Sequence, residues 1–375
     1  MTRPPGWRRV GILVAAVALP AVASAEPHFA ARTGLRCARC HTSPTGGGKR
    51  TPYGALYAHA ALSLQGGRPR TRLPAAEDSS WALSPMAVGE VTSWLAVGTD
   101  LRVTNTTTFT DERQNSFDAT GGTLYLEIRP WPDRIVLYLD EEVAAGGARS
   151  REAWALIHGP WTTYLRGGWL LPPFGLRLLD DDAYTRRVTG ANFANSDLGL
   201  EVGLDLGPVF AALALTNGNF SASDADVPKA LWGLVEATFD PLRVGLTGAW
   251  NPSEDGCRGM AGAFGALRLG RLVVQAEADY VTQRPPDKAR WGHGMAWMAE
   301  LDLQLLKGLS LRAGYDYHDA DLELRQDRRQ RFRFGVDLFP LRMVELKLYY
   351  MLKQSQTTQP LDDADRLEVT LHVYL

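Results

Sequence analysis

Residues 366–375 read Arg-Leu-Glu-Val-Thr-Leu-His-Val-Tyr-Leu. Leu367, Val369, Leu371, Val373 and Leu375 alternate there with Arg366, Glu368, Thr370, His372 and Tyr374. A strict period of two places the apolar set on one face of an extended strand and the polar set on the other. The same alternation recurs upstream. Across 197–206, Leu198, Leu200, Val202, Leu204 and Leu206 oppose Gly199, Glu201, Gly203 and Asp205. Across 331–339, Phe332, Phe334, Val336 and Leu338 oppose Arg331, Arg333, Gly335 and Asp337. No helical period of comparable strength competes with it from residue 88 to residue 375.

Working outward from these three segments, the pattern predicts sixteen strands. They fall at 91–110, 119–129, 134–145, 150–158, 161–172, 197–206, 209–217, 229–240, 242–251, 259–269, 271–283, 292–305, 308–318, 329–339, 341–352 and 366–375. Their connections alternate in length. Short ones hold Pro130-Trp131-Pro132-Asp133, Gly159-Pro160, Gly207-Pro208 and Asp240-Pro241. Long ones include 111–118, 173–196, 218–228, 252–258, 284–291, 319–328 and 353–365. An even number of strands about ten residues long, with turns at one end and loops at the other, is the layout of an outer-membrane barrel. The fold class expected is all-β: a transmembrane antiparallel β-barrel of about sixteen strands, in a range of about fourteen to eighteen. Trp131, Trp161, Trp250, Trp291, Phe239, Phe339 and Tyr280 lie near strand ends, where interfacial aromatic girdles sit. Glu127, Glu201, Asp205, Glu277, Asp302, Arg312, Arg331, Arg333, Glu345 and Lys347 fall on the opposite, lumen-facing phase.

Composition agrees once it is divided between two faces. The 375 residues carry a net charge of -2, with 45% hydrophobic residues and a mean hydropathy of -0.17. Such an average excludes a multi-span helical membrane protein, yet it is what a lipid-facing half and a wet half add up to. Near-neutral charge argues against a dedicated nucleic-acid binder. Three cysteines are too few for a disulfide scaffold of this length. No Ser-His-Asp constellation, phosphate loop or H-E-x-x-H motif is present, so an electron carrier or channel is expected rather than a catalyst.

The chain has three expected parts. Residues 1–25 form a secretory signal peptide: Arg3, Arg8 and Arg9 precede the apolar run from Val10 to Leu19, and Ala23 and Ala25 supply the small residues before cleavage. The apolar run is too short to span a bilayer. Loss of the three arginines takes the charge from -2 to -5. Residues 26–78 form a short leader, with one plausible helix over Tyr53 to Leu64 and a linker from Gly66 to Pro74. Residues 88–375 form the barrel.

The leader holds the most specific chemistry. Cys37-Ala38-Arg39-Cys40-His41 is C-x-x-C-H, the attachment signature of c-type haem. Each thiol adds to one vinyl group, and the adjoining imidazole reaches the iron. A zinc site would need two further ligands, and no second C-x-x-C exists. A thioredoxin-type pair would need a βαβ setting that these flanks do not offer. A plain disulfide leaves His41 unexplained. His59 and His28 are the candidates for a distal iron ligand, with Met86 further off, and a free sixth position is a further alternative. Arg36, Arg39, Lys49 and Arg50 are available to pair with propionates, and Gly46-Gly47-Gly48 gives a backbone able to pass close to a macrocycle.

The run Arg32-Thr-Gly-Leu-Arg-Cys-Ala-Arg-Cys-His-Thr-Ser-Pro-Thr-Gly-Gly-Gly48 resembles the leader of Gram-negative barrel proteins that carry one haem-binding motif. Residues 37–41 resemble the attachment site of c-type cytochromes, and residues from about 88 to 375 resemble a porin-type barrel. The resemblance implies one covalent haem c, attached through Cys37 and Cys40 with His41 as proximal iron ligand. It also implies an outer-membrane location, with the leader on the periplasmic side or in the lumen. Electron transfer at or across that membrane follows as the expected role, with other cytochromes as partners and a homo-trimer as the assembly. The alternative is a porin or uptake channel whose haem segment is a plug, gate or redox sensor. The connection 173–196 carries Asp180-Asp181-Asp182 and Arg186-Arg187, and is long enough to fold into the pore. The Asp triplet reads as a solvated loop tip, and Cys257 as an incidental residue of an external loop.

Overall fold

A computed structural model describes residues 26–65 and 88–375, apart from 111, 145–146, 181, 222, 225, 254–255, 286–289, 325 and 357–363. The expected signal peptide, the linker and Met86 lie outside the described residues. A short helical leader precedes the strands: α1 (Pro27–Thr33), α2 (Cys37–Cys40) and α3 (Pro52–Tyr57), the last continuing into one π-turn over Ala58–Leu62. The strands are β1 (Leu95–Phe109), β2 (Gln114–Trp131), β3 (Ile135–Glu142), β4 (Arg149–His158), β5 (Thr163–Leu170), β6 (Asp197–Asp205), β7 (Val209–Thr216) and β8 (Ala230–Phe239). They continue as β9 (Leu242–Ser253), β10 (Gly256–Leu269), β11 (Leu272–Arg284), β12 (Gly292–Leu306), β13 (Leu309–Asp319), β14 (Arg328–Leu341), β15 (Val344–Ser355) and β16 (Asp365–Tyr374). Helix α4 (Tyr184–Thr189) lies in the connection between β5 and β6.

Each strand pairs antiparallel with its sequence neighbours, and β1 pairs with β16, so the sheet is a closed barrel. No helix among the described residues is long and apolar enough to cross a membrane. The alternation does what its period requires. Leu198, Leu200 and Val202 of β6 face outward, while Glu201 between them is fully buried in the lumen. Every lumen-facing residue expected from the sequence is on the inner phase.

Three details differ from the sequence-based expectation. Strand β2 starts at Gln114, five residues before the apolar pattern begins, because Asn105 and Thr107 of β1 hold Asn115 by side-chain hydrogen bonds of 2.7–3.1 Å. Cys257 is not in a loop. It lies in β10, paired with Pro252 and Arg284, because β9 and β10 extend through most of the expected connection. Phe339 is not a girdle residue. The alternation that turns Asp337 inward turns Phe339 inward too, where its ring lies 6.4 Å from Phe29 of the leader. Trp131, Trp161, Trp250, Phe239 and Tyr280 are exposed as a girdle requires.

The lumen is packed. Leader residues Ala58 and Leu62 and loop residues Leu176 and Leu178 share one buried cluster with wall residues Tyr138, Trp154, Tyr164, Phe210, Phe264 and Tyr374. Outer and inner faces therefore answer to different solvents. Replacing outward Leu200 with Arg should cost about 2–4 kcal/mol, the usual penalty near the bilayer midplane. Reversible guanidinium folding into phospholipid vesicles measures this against the unsubstituted protein.

Candidate functional site

The leader enters the lumen at the end of the barrel that carries the short turns. The Leu64 backbone N–H donates to the Phe339 carbonyl at 2.9 Å. From there the leader is pinned to the wall by charge. Arg32 pairs with Asp302, Arg36 with Asp205, and Glu26 with both Arg312 and Lys347. Glu127 accepts from the Thr42 hydroxyl at 2.9 Å and faces the Lys49 ammonium at 3.1 Å. Arg166 donates to the Ser43 hydroxyl at 3.0 Å and to Glu201 at 2.7 Å. Buried charges of this kind persist only when matched, so the lumen wall and the leader specify each other.

The C-x-x-C-H run forms one tight turn. The His41 N–H donates to the Cys37 carbonyl at 3.0 Å, and His41 then bridges to Arg50 across the glycine-rich loop. Gly46, Gly47 and Gly48 all have positive φ, at 94, 82 and 64°. At Gly48 no other residue fits, because a Cβ there would collide with the Tyr138 hydroxyl, which accepts from the Lys49 N–H at 2.8 Å. In this structure the glycines approach Cys37, Phe193 and Tyr138.

His41 is buried, with Nδ1 3.3 Å from the Gly48 carbonyl. Its Nε2 is buried with no hydrogen-bond partner among the described residues. Burial, then the neighbouring Arg50, lowers its pKa to about 3, so the ring is neutral. With the Nδ1 proton directed at a carbonyl, the Nε2 lone pair is presented to whatever lies beyond it, the arrangement that orients a metal-binding imidazole. Cys37 and Cys40 are both free thiols. Burial raises Cys37 above its ordinary value and Cys40 to about 11. Two thiols on one turn beside a neutral imidazole with an unused nitrogen fit the donor set of a c-type haem. Cys37 also lines a cleft of about 10 Å³ with Phe174, Phe210 and Arg243, room for a single water.

The remaining expected site residues separate. His28 has Glu26 at 3.2 Å from Nδ1 and Asp302 at 3.3 Å from Nε2, so carboxylates face both ring nitrogens. His59 is buried in the π-turn, a distortion that often marks functional positions. Of the propionate candidates, Arg36 and Lys49 are matched by wall carboxylates. Arg39 lies over Tyr53 at 4.8 Å and Arg50 over Tyr374 at 4.6 Å.

The connection between β5 and β6 also folds into the lumen. Its Leu176 N–H donates to Glu277 at 3.1 Å, and Arg186 pairs with Glu277 as well. Asp180 is not a solvated tip: it is clamped by Arg331 and Arg333, each at 2.6 Å. Burial raises its pKa, but the two guanidinium groups outweigh that and hold it well below the usual carboxylate range. Asp182 accepts from Arg366 at 3.1 Å, and Asp181 lies outside the described residues. The sequence marked these arginines as inward-facing but held no signal for which carboxylate each would meet.

No family model matches this sequence, and no curated protein matches it. Solved structures do. OmpT, an outer membrane protein of Vibrio cholerae, aligns at 12% identity with a TM-score of 0.59, over 75% of this chain and 99% of that one. The chain shares the porin fold. A porin refined at 1.8 Å aligns at 12% identity with a TM-score of 0.56, over 75% of this chain and all of that one. The outer membrane channel DcaP of Acinetobacter baumannii gives 12% and 0.55, over 75% of this chain and 97% of its own. Identity this low establishes likeness of fold alone.

Removing one partner of the Asp180 clamp leaves two buried guanidinium groups short of charge. Asp180→Asn should cost about 3–5 kcal/mol in equilibrium unfolding. A carboxyl whose pKa falls on folding contributes fully above its unfolded value of about 4, and that contribution is lost as pH drops further. The difference between variant and parent should therefore hold at pH 5 and shrink only below about pH 4.

Proposed function

We propose that this chain is an outer-membrane barrel whose leader, docked in the lumen, carries one covalent haem c and passes electrons at or across that membrane. The observation that carries this reading is the C-x-x-C-H turn itself, with the buried, partnerless Nε2 of His41 next to two free thiols. Location is supported by the outward belt of Leu, Val and Trp on a closed sheet, which suits lipid on one side only. In such barrels the turn end faces the periplasm and the loop end faces outward. The leader then enters from the periplasmic side.

When bound, haem c supplies a one-electron iron couple. The protein's part is to hold it. Cys37 and Cys40 would hold it through their thiols, and His41 would offer Nε2 to its iron, the ring oriented by the Gly48 carbonyl through Nδ1. His28 and His59 are the two distal candidates: the nitrogens of His28 face Glu26 and Asp302, and His59 is buried in the π-turn. The packed leader and the β5–β6 connection limit water around the site. A single haem does not bridge a hydrocarbon core of about 30 Å, so partner cytochromes complete the path.

The packing of the lumen also favours a second reading, a porin whose leader is a plug or gate. The Vibrio cholerae OmpT is described in a trimer form, and a homo-trimer is the assembly we propose here.

Three experiments test these readings. Produced with a c-type maturation system, the protein should keep haem stain on a denaturing gel, and Cys37→Ala with Cys40→Ala should abolish it. His41→Ala should retain covalent haem with an altered absorption spectrum. An unstained parent protein would end the haem reading. Electron transfer across liposomes should appear with partner cytochromes and not without them, and its absence in every combination removes the conduit. In planar bilayers the intact protein should conduct weakly, and removal of residues 26–65 should open it. Cys37→Ala should change conductance only if the leader is a gate.

A further inference from the structure

A second site lies at the loop end of the lumen, away from the C-x-x-C-H turn. A cavity of about 320 Å³ opens there between α4 and the inner faces of β10 to β14. Its polar lining comes from Tyr184, Arg187, Arg258, Gln283, His318 and Arg329. No carboxylate lines it among the described residues.

Several other arginines of the lumen, by contrast, meet carboxylates. Arg166 is matched by Glu201, Arg186 by Glu277, Arg243 by Glu236, and Arg331 by Asp180 and Asp316. Among the described residues Arg258 is not matched in this way: it donates to the Val188 carbonyl of α4, and its Nε is buried with no partner among them. Arg187 reaches the cavity from α4 and is exposed. Tyr184 and His318 close one side, with ring centroids 5.9 Å apart. A cleft lined by one sign of charge concentrates ions of the other sign. Guanidinium forks suit the paired oxygens of carboxylates and phosphates. The volume is that of a small-molecule site.

We propose that this cavity binds a small soluble oxyanion bearing several carboxylate or phosphate oxygens. The inner wall of the barrel surrounds it, so a free anion reaches it and a membrane lipid does not. The site stands independently of the haem assignment.

The test is isothermal titration calorimetry on the full mature protein in non-ionic detergent at low salt, with inorganic phosphate and citrate as probes. One-to-one saturable binding is expected for at least one probe, and sodium chloride should weaken it. Loss of one charge-assisted contact weakens binding by about tenfold, and that is the change expected in Arg258→Gln and in Arg187→Gln. Arg258→Gln also removes the bond to Val188, so Arg187→Gln, an exposed position, decides the matter should the first variant fold poorly. Weakened binding in either correctly folded variant supports the site. Absence of saturable binding by both probes overturns it, as does affinity unchanged in both variants.

Discussion

The hydrogen bonds between β1 and β16 close the sheet, running from Asp100 opposite Tyr374 to Phe109 opposite Asp365. In hydrocarbon, an unpaired backbone group costs several kcal/mol, and an open sheet would present a row of them. Closure removes the edge and separates two environments. Outside, Leu198, Leu200, Val202 and their equivalents meet an apolar solvent; inside, the opposite phase of each strand points into a confined space.

That confined space has its own requirement. The inner phase carries both signs of charge, and a charge removed from water has to find a partner. The structure meets this with two inserted segments. The leader brings Glu26, Arg32, Arg36 and Lys49 to Arg312, Asp302, Asp205 and Glu127. The β5–β6 connection brings Asp180 and Arg186 to Arg331, Arg333 and Glu277. The C-x-x-C-H turn is thereby fixed inside the wall rather than hung at the mouth. Around Arg258, among the described residues, no carboxylate completes this matching.

Much of the barrel was legible in the sequence because a half-buried strand writes its two faces in alternate residues. All sixteen strands fell where the alternation put them. Two of the errors were of one kind. The polar start of β2 has no apolar phase, so its pairing through Asn105 and Asn115 left no mark. Cys257 looked like loop because its neighbours are polar, although they extend a ladder. At the candidate site, Cys37, Cys40 and His41 were readable as a C-x-x-C-H run because the pattern spans five adjacent residues. That His28 sits between Glu26 and Asp302 left no mark in the sequence, because Asp302 is far from it along the chain.

The sequence by itself determined the barrel, its strand number, the phase of each strand and the C-x-x-C-H spacing. All of these depend on residues close together along the chain. The tertiary structure alone decided that the leader lies in the lumen, that Asp180 is clamped between two arginines, and that Nε2 of His41 is left without a partner. Those facts depend on pairs such as Arg32 with Asp302, some 270 positions apart, which meet only because the closed sheet brings every inner face to one axis.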